Sequence, residues 1–254
     1  GGQMTRALYI GCTGMVNEQK RLDIVANNVA NAATAGYKGE NVTSQSFEDV
    51  LALKIRDNSE YYVDKPIGTM NLGVRLGEVY TDFGQGSMRH TGDNYNVAIE
   101  GKGFFEVRKG DEIRYTRDGS FKMDRDGYIV DADGNHLQGE SGDIQVPLEE
   151  TIFIDTYGGI YSDGVYVDSI KLVDFENYDY LEKIGDTSYK PVDGAVEITG
   201  SGVLHQGFVE QSNVNGVSEM VDLIAITRAY EANQKIIQGE DSLLEKTVNQ
   251  IGRV

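Results

Sequence analysis

Two short acidic runs hold the densest chemistry in this sequence, Asp124-Arg125-Asp126-Gly127 and Asp131-Ala132-Asp133-Gly134-Asn135. Alternating carboxylates beside a glycine are the raw material of a calcium loop, whose oxygens bind the ion while the glycine makes the sharp turn. Neither run completes such a loop, because no Glu stands at its twelfth position. Asp-Gly is also the favoured dipeptide of tight hairpins, so two readings compete for the same residues. The three histidines, His90, His136 and His205, are too far apart for metal-ligand spacing. No nucleophile elbow, zinc-protease helix or phosphate-loop motif is present. A carboxylate pair for sugar hydrolysis could be drawn almost anywhere among 41 Asp and Glu residues, and nothing singles one out. The lone cysteine, Cys12, excludes an internal disulfide and reads as a small apolar residue, buried or interfacial. The expectation is a protein with no catalytic residues, no metal, no cofactor and no small-molecule substrate.

The net charge of −18 argues against nucleic acid as a partner. Charge is unevenly placed: residues 4–57 are net neutral, residues 211–254 carry −2, and the middle, 58–210, carries −16. Near-neutral ends around a self-repelling middle suit a chain whose ends pack while its middle stays solvated. An ordinary acidic surface would give the same totals. No apolar run approaches 18 residues, so neither a cleaved signal peptide nor a membrane insertion is expected. Residues 1–3, Gly-Gly-Gln before Met4, read as a cloning remnant.

The elements that must position any site fall into three blocks. From about Arg6 to Asn31, Leu8, Gly11, Met15, Glu18, Leu22, Val25 and Val29 recur at helical spacing. Gly11 and Gly14 weaken an isolated helix but admit a second backbone closely. From about Asn215 to Ile251, Met220, Leu223, Thr227, Tyr230, Gln234, Ile237, Asp241, Leu244, Val248 and Ile251 keep an unbroken 3-4 spacing. That is a coiled-coil-like seam with polar interruptions, and Gly239 is its weak point. Between them the period changes to two. Asp-Gly pairs at Asp118, Asp126 and Asp133 sit between alternating apolar residues, and further turns are expected at Gly158-Gly159 and Asp163-Gly164. The fold class is mixed α and β, with N- and C-terminal helices flanking a central antiparallel all-β domain. The segments are 4–43 for the N-terminal helix, 44–73 for an extended connector with a short helix around Phe47 to Ile55, 74–211 for the β domain and 212–254 for the C-terminal helix. One apolar face on one neighbour is marginal for helices this long, so the ends need each other or other chains.

The two ends and the middle together resemble a known family. "NNVANAATAGYKGE" is similar to the N-terminal signature of the flagellar rod and hook axial proteins, at Asn27, Asn28, Ala30, Asn31, Thr34 and Gly36, followed by Tyr37 and Lys38. "GVLHQGFVEQSNVN" and the "TRAYEANQK" helix resemble the C-terminal signature, and "TGDNYNVAIEGKGFFEV" onward resembles the family's β domain. Ala32, Ala33, Ala35 and Tyr37 depart mildly from the usual pattern. The length fits proximal- or distal-rod members better than the hook protein. The resemblance implies a structural subunit of the basal-body rod in the cell envelope. Such a subunit leaves the cytoplasm through the flagellar export apparatus, assembles helically through its terminal helices with its own copies and other axial proteins, and passes torque from motor to hook. The expected assembly surface is Leu8, Met15, Leu22, Val25, Asn27, Asn28, Val29, Asn31, Asn213, Val214, Met220, Leu223, Thr227, Tyr230, Ile237, Leu244, Val248 and Ile251. Two readings of the asparagines stay open, a neutral hydrogen-bonding interface and a simple helix end. The alternatives to the rod reading are a hook-like axial protein, or a secreted acidic β protein that binds calcium or carbohydrate.

Overall fold

The computed structural model describes residues 2–46, 50–53, 66–70, 74–147 and 151–251. For 2–10, 44–46, 50–53, 66–70, 74–77, 240, 241 and 243–251 the description is of the backbone only. Two long helices bracket a central set of antiparallel strands: α1 is Gly2–Ala30 and α2 is Gly216–Ile251. α1 takes in Gly2 and Gln3, expected from the sequence to stand outside the fold, and α2 runs unbroken through Gly239.

The chain divides into two compact units. The first comprises Gly1–Asn27, Glu40–Tyr80 and Gly216–Val254. Here Gly11 and Gly14 permit close approach of α1 and α2. A Cβ on Gly11 would lie 3.0 Å from Ile237 Cγ1, and one on Gly14 would lie 3.1 Å from the Asn233 amide. Moving forward along α1 moves backward along α2, so the pair is antiparallel. Glu40–Ser46 pairs with Val74–Thr81, and Val50–Leu53 pairs with Pro66–Met70. The expected short helix is thus corrected over 50–53: Val-Leu-Ala-Leu is a four-residue apolar run, too short for its period to tell helix from strand. The rest of that expected helix lies outside the described residues.

The second unit is Asn28–Gly39 with Thr81–Asn215. Its centre is strand Phe104–Lys109, which pairs with Glu112–Thr116, His136–Gly139 and Leu172–Phe175. Side chains alternate across a strand, so this one feeds two cores. Phe105 and Val107 join Val97, Ile99, Leu137 and Ile160 on one face, while Phe104 joins Tyr115, Phe175 and Tyr189 on the other.

Most of the expected turns are present. Asp163 and Gly164 both have positive φ, 47° and 83°, and close a two-residue hairpin between Ser162 and Val165. That is the turn in which both central residues must be left-handed. Gly127, Gly134 and Gly158 close longer loops in which Asp124, Asp131 and Asp155 each accept two backbone N–H groups. Asp118-Gly119 is a correction. Strands Glu112–Thr116 and Lys122–Met123 lie at separate places in the sheet, and 117–121 carries the chain across it. The glycine is needed because a Cβ there would press on the Val97 carbonyl oxygen, while Gly119 O accepts the Val97 N–H at 3.0 Å.

Candidate functional site

Each terminal helix has an inward and an outward face. On α2 the inward stripe is Leu223, Ile226, Thr227, Tyr230, Asn233 and Ile237, with Ile226 the most buried. Thr227 is accommodated there because its hydroxyl donates back to the Leu223 carbonyl at 2.7 Å. Met220 and Gln234, placed on the same seam by spacing, are exposed. Val217, Val221 and Ile224 form an outward apolar stripe, 75%, 61% and 53% exposed, turned away from the inward one. On α1, Met15, Leu22, Val25 and Val29 are half-buried and Asn27 is exposed. Cys12 is exposed, not buried. Asn17 is buried in α1, and the apolar period had no reason to flag it. The side chains of Leu8, Leu244, Val248 and Ile251 lie outside the described residues.

The amide-rich exit of α1 belongs to the second unit. Asn28 is buried and accepts the Tyr37 hydroxyl hydrogen at 3.0 Å. Asn31 accepts from the Thr34 hydroxyl at 3.0 Å and donates to Asp186 at 3.4 Å. Gly36, at φ +67°, brings its backbone against Asp118 and donates to the Glu210 carbonyl at 2.8 Å. Asn213 accepts the Gly39 N–H at 2.8 Å and donates to the carbonyls of Asp82 at 2.7 Å and Gly84 at 3.2 Å. Val214 packs half-buried against Gly39, where a Cβ would lie 2.9 Å from its methyl.

At the centre lies a buried ionic clasp. Lys38 Nζ is 2.6 Å from Glu210 Oε1, and both side chains are fully buried. The lysine also donates to the Gly84 carbonyl at 2.8 Å. Glu210 Oε1 accepts the Gly86 N–H at 2.8 Å, and its Oε2 faces Arg117 Nη1 at 3.3 Å. Arg117 donates to the Gly101 carbonyl at 2.7 Å and stacks over Phe104, 5.3 Å from the ring centre. Lys183 sits 4.1 Å over the Tyr37 ring and donates to the Lys38 carbonyl. Burial pulls the Lys38 pKa below its usual value against the opposing pull of Glu210. Two cations share one carboxylate, and carbonyl dipoles and an aromatic face supply the rest of the compensation that buried charge demands.

Both Glu210 carboxylate oxygens are taken by these partners while Arg117 Nε is buried without a hydrogen-bond partner, and the network fastens segments of the unit to one another. Asp124 and Asp131 turn an oxygen back to their own loops, and the described residues contain no group of three or more metal-ligating side chains. A cleft of about 910 Å³ has Glu106, Glu140, Lys171 and Glu197 in its wall. There Lys171 pairs with Glu106 at 2.7 Å and Tyr115 donates to Glu197 at 2.7 Å. No described helix is long and apolar enough to cross a membrane.

Three family models match in order along the chain: a flagella basal body rod protein model over residues 8–38, a flagellar hook protein FlgE/F/G D1 domain over 98–162, and a flagellar basal body rod FlgEFG protein C-terminal model over 205–251. The flagellar basal-body rod protein FlgG of Bacillus subtilis is 34% identical over 97% of this chain and 99% of its own length. FlgG of Buchnera aphidicola from Acyrthosiphon pisum is 35% identical over 96% and 98%. The flagellar basal-body rod protein FlgF of Caulobacter vibrioides is 34% identical over 99% and 100%. With motifs at both ends and in the sheet all matched in register, the chain belongs to the flagellar basal-body rod protein family.

Proposed function

We propose that this protein is a structural subunit of the bacterial flagellar rod, located in the basal body. It assembles helically through α1 and α2 with copies of itself and with other axial proteins, and it transmits torque from motor to hook. It reaches its place through the flagellar export apparatus. Matches along nearly the full length of rod proteins favour this over a hook-like position.

The observation that carries the reading is the outward stripe Val217, Val221 and Ile224. Burying an aliphatic side chain of this size gains roughly 1.5–3 kcal/mol, so a stripe left in water on an already paired helix is fit for a further helix. A head-to-tail contact that does not close on itself extends into a filament, and each added subunit repeats the gain. The inward residues Met15, Leu22, Val25, Leu223, Thr227, Tyr230 and Ile237 then hold the pair together, and the outward ones meet neighbours.

The test is a Val221→Glu, Ile224→Glu variant of the full chain in a strain lacking the wild-type protein. The expected result is an unchanged monomer melting curve with loss of the protein from purified basal bodies and loss of motility. Normal incorporation of the variant would sink the proposal.

A further inference from the structure

The chain passes between its two units four times, at 27/28, 39/40, 80/81 and 215/216. Within the second unit the residues flanking all four passages are tied to one another. Asn28 is bonded to Tyr37, Gly39 to both Asp82 and Asn213, and Asn213 to Asp82 and Gly84. Beneath these bonds lie Lys38, Glu210 and Arg117, which join segments 36–39, 84–86, 101, 117 and 210 through one carboxylate.

We propose that Lys38, Glu210 and Arg117 form a mechanical clasp that gathers the four chain passages into one joint, so that load entering by any passage is shared by the whole β unit. Its use under torque rests on the rod-subunit reading above. The physical case is one of geometry. Apolar contacts are non-directional and let segments slide, whereas fixed donors around one carboxylate hold each segment in register. A buried ion network adds little net stability over an apolar core of the same shape, so the specificity of its geometry is the property that distinguishes it. The arrangement is also asymmetric. Removing the lysine charge leaves Glu210 held by Arg117 and the Gly86 N–H, whereas neutralising Glu210 leaves two buried cations without a counter-charge.

That asymmetry supplies the test. Amide hydrogen exchange is followed on the full-length monomer, peptide by peptide, for wild type, Lys38→Met and Glu210→Gln. Glu210→Gln is expected to speed exchange over residues 34–40 at least tenfold while 97–107 stays protected, and to open the Lys38–Gly39 bond to trypsin. Lys38→Met should speed the same peptide less. Unchanged exchange over 34–40 in Glu210→Gln, or an equal or larger effect of Lys38→Met, overturns the clasp. Should Glu210→Gln unfold the whole sheet, Lys38→Met decides alone: 34–40 must loosen while the sheet holds, and unchanged exchange overturns the clasp. In cells, the variant that opens 34–40 and still enters basal bodies should lose swimming speed in viscous medium more steeply than wild type. Wild-type speed under load would overturn the mechanical role. Absence of the tagged wild-type chain from basal bodies would instead refute the rod reading, and the exchange result would stand apart from it.

Discussion

The Tyr37 hydroxyl donates to Asn28 Oδ1 at 3.0 Å, and both side chains are closed off from solvent. The contact separates two asparagines that look equivalent in sequence. Asn28→Ala removes the acceptor of a buried hydroxyl, which costs about 1–3 kcal/mol. Asn31→Ala loses a half-exposed bond to Thr34 and a long one to Asp186, so its effect should stay within about 0.5 kcal/mol. Urea midpoints of the two single variants, at unchanged slope, measure the difference. Equal midpoints would contradict the assignment.

Glycines at two positions should respond in opposite directions. Gly36 has φ +67°, and a Cβ there would collide with the Asp118 backbone. Gly36→Ala is therefore expected to lose on the order of 1–3 kcal/mol. Gly239 lies inside α2, where an added Cβ would meet nothing within 4 Å, so Gly239→Ala should gain about 0.5–1 kcal/mol. Thermal melts of the two variants would show it, and a destabilised Gly239→Ala would mean that the helix meets something at that point.

The antiparallel helix pair rests on the fit of Ile237 over Gly11, where an added Cβ would be 3.0 Å from Ile237 Cγ1. Gly11→Leu should overpack the seam by roughly 1–3 kcal/mol. Combining it with Ile237→Ala should recover part of that, as a coupling energy in a double-mutant cycle. Strict additivity would place the two residues out of contact.

Acid sensitivity has one clear contributor on the surface. Hydrogen bonds from Lys190 and Arg114 hold the Glu112 carboxyl down at about 2, against an ordinary 4.5. A carboxylate whose folded pKa lies below its unfolded value adds stability above the unfolded value and loses it as pH falls through the folded one. The stability gap between wild type and Glu112→Gln should therefore be constant above pH 4.5 and close between 4.5 and about 2. Denaturant titrations across that range check it, and a gap that widens on acidification would reverse the sign.

Long periodic elements are legible in the sequence. Spacing puts the helices at about 6–31 and 215–251, and they occupy Gly2–Ala30 and Gly216–Ile251. Asp163-Gly164 is legible because only residues that tolerate positive φ can make that hairpin. Asp118-Gly119 misleads because the same dipeptide also serves close backbone approach, and that depends on Val97, far away in sequence. The clasp is hidden for a similar reason. Lys38 follows an uncharged stretch, and Glu210 follows the buried Val209, so alternation points the carboxylate outward. What places it inside is a partner 172 residues away. Charged side chains are expected at the surface until their counter-charge is found, and a single sequence does not supply it.

That separation bears on how the chain comes off the ribosome. Synthesis runs from the N-terminus at about 5–20 residues per second, so Lys38 emerges many seconds before Glu210 exists. During that time the exit of α1 has no carboxylate to close on. The entropy of closing so long a loop is spent only when the last strands appear. The local bonds of the N-terminal signature, Tyr37 to Asn28 and Thr34 to Asn31, need no later residue, whereas the ionic contact of Lys38 must wait for the last strand of the β unit.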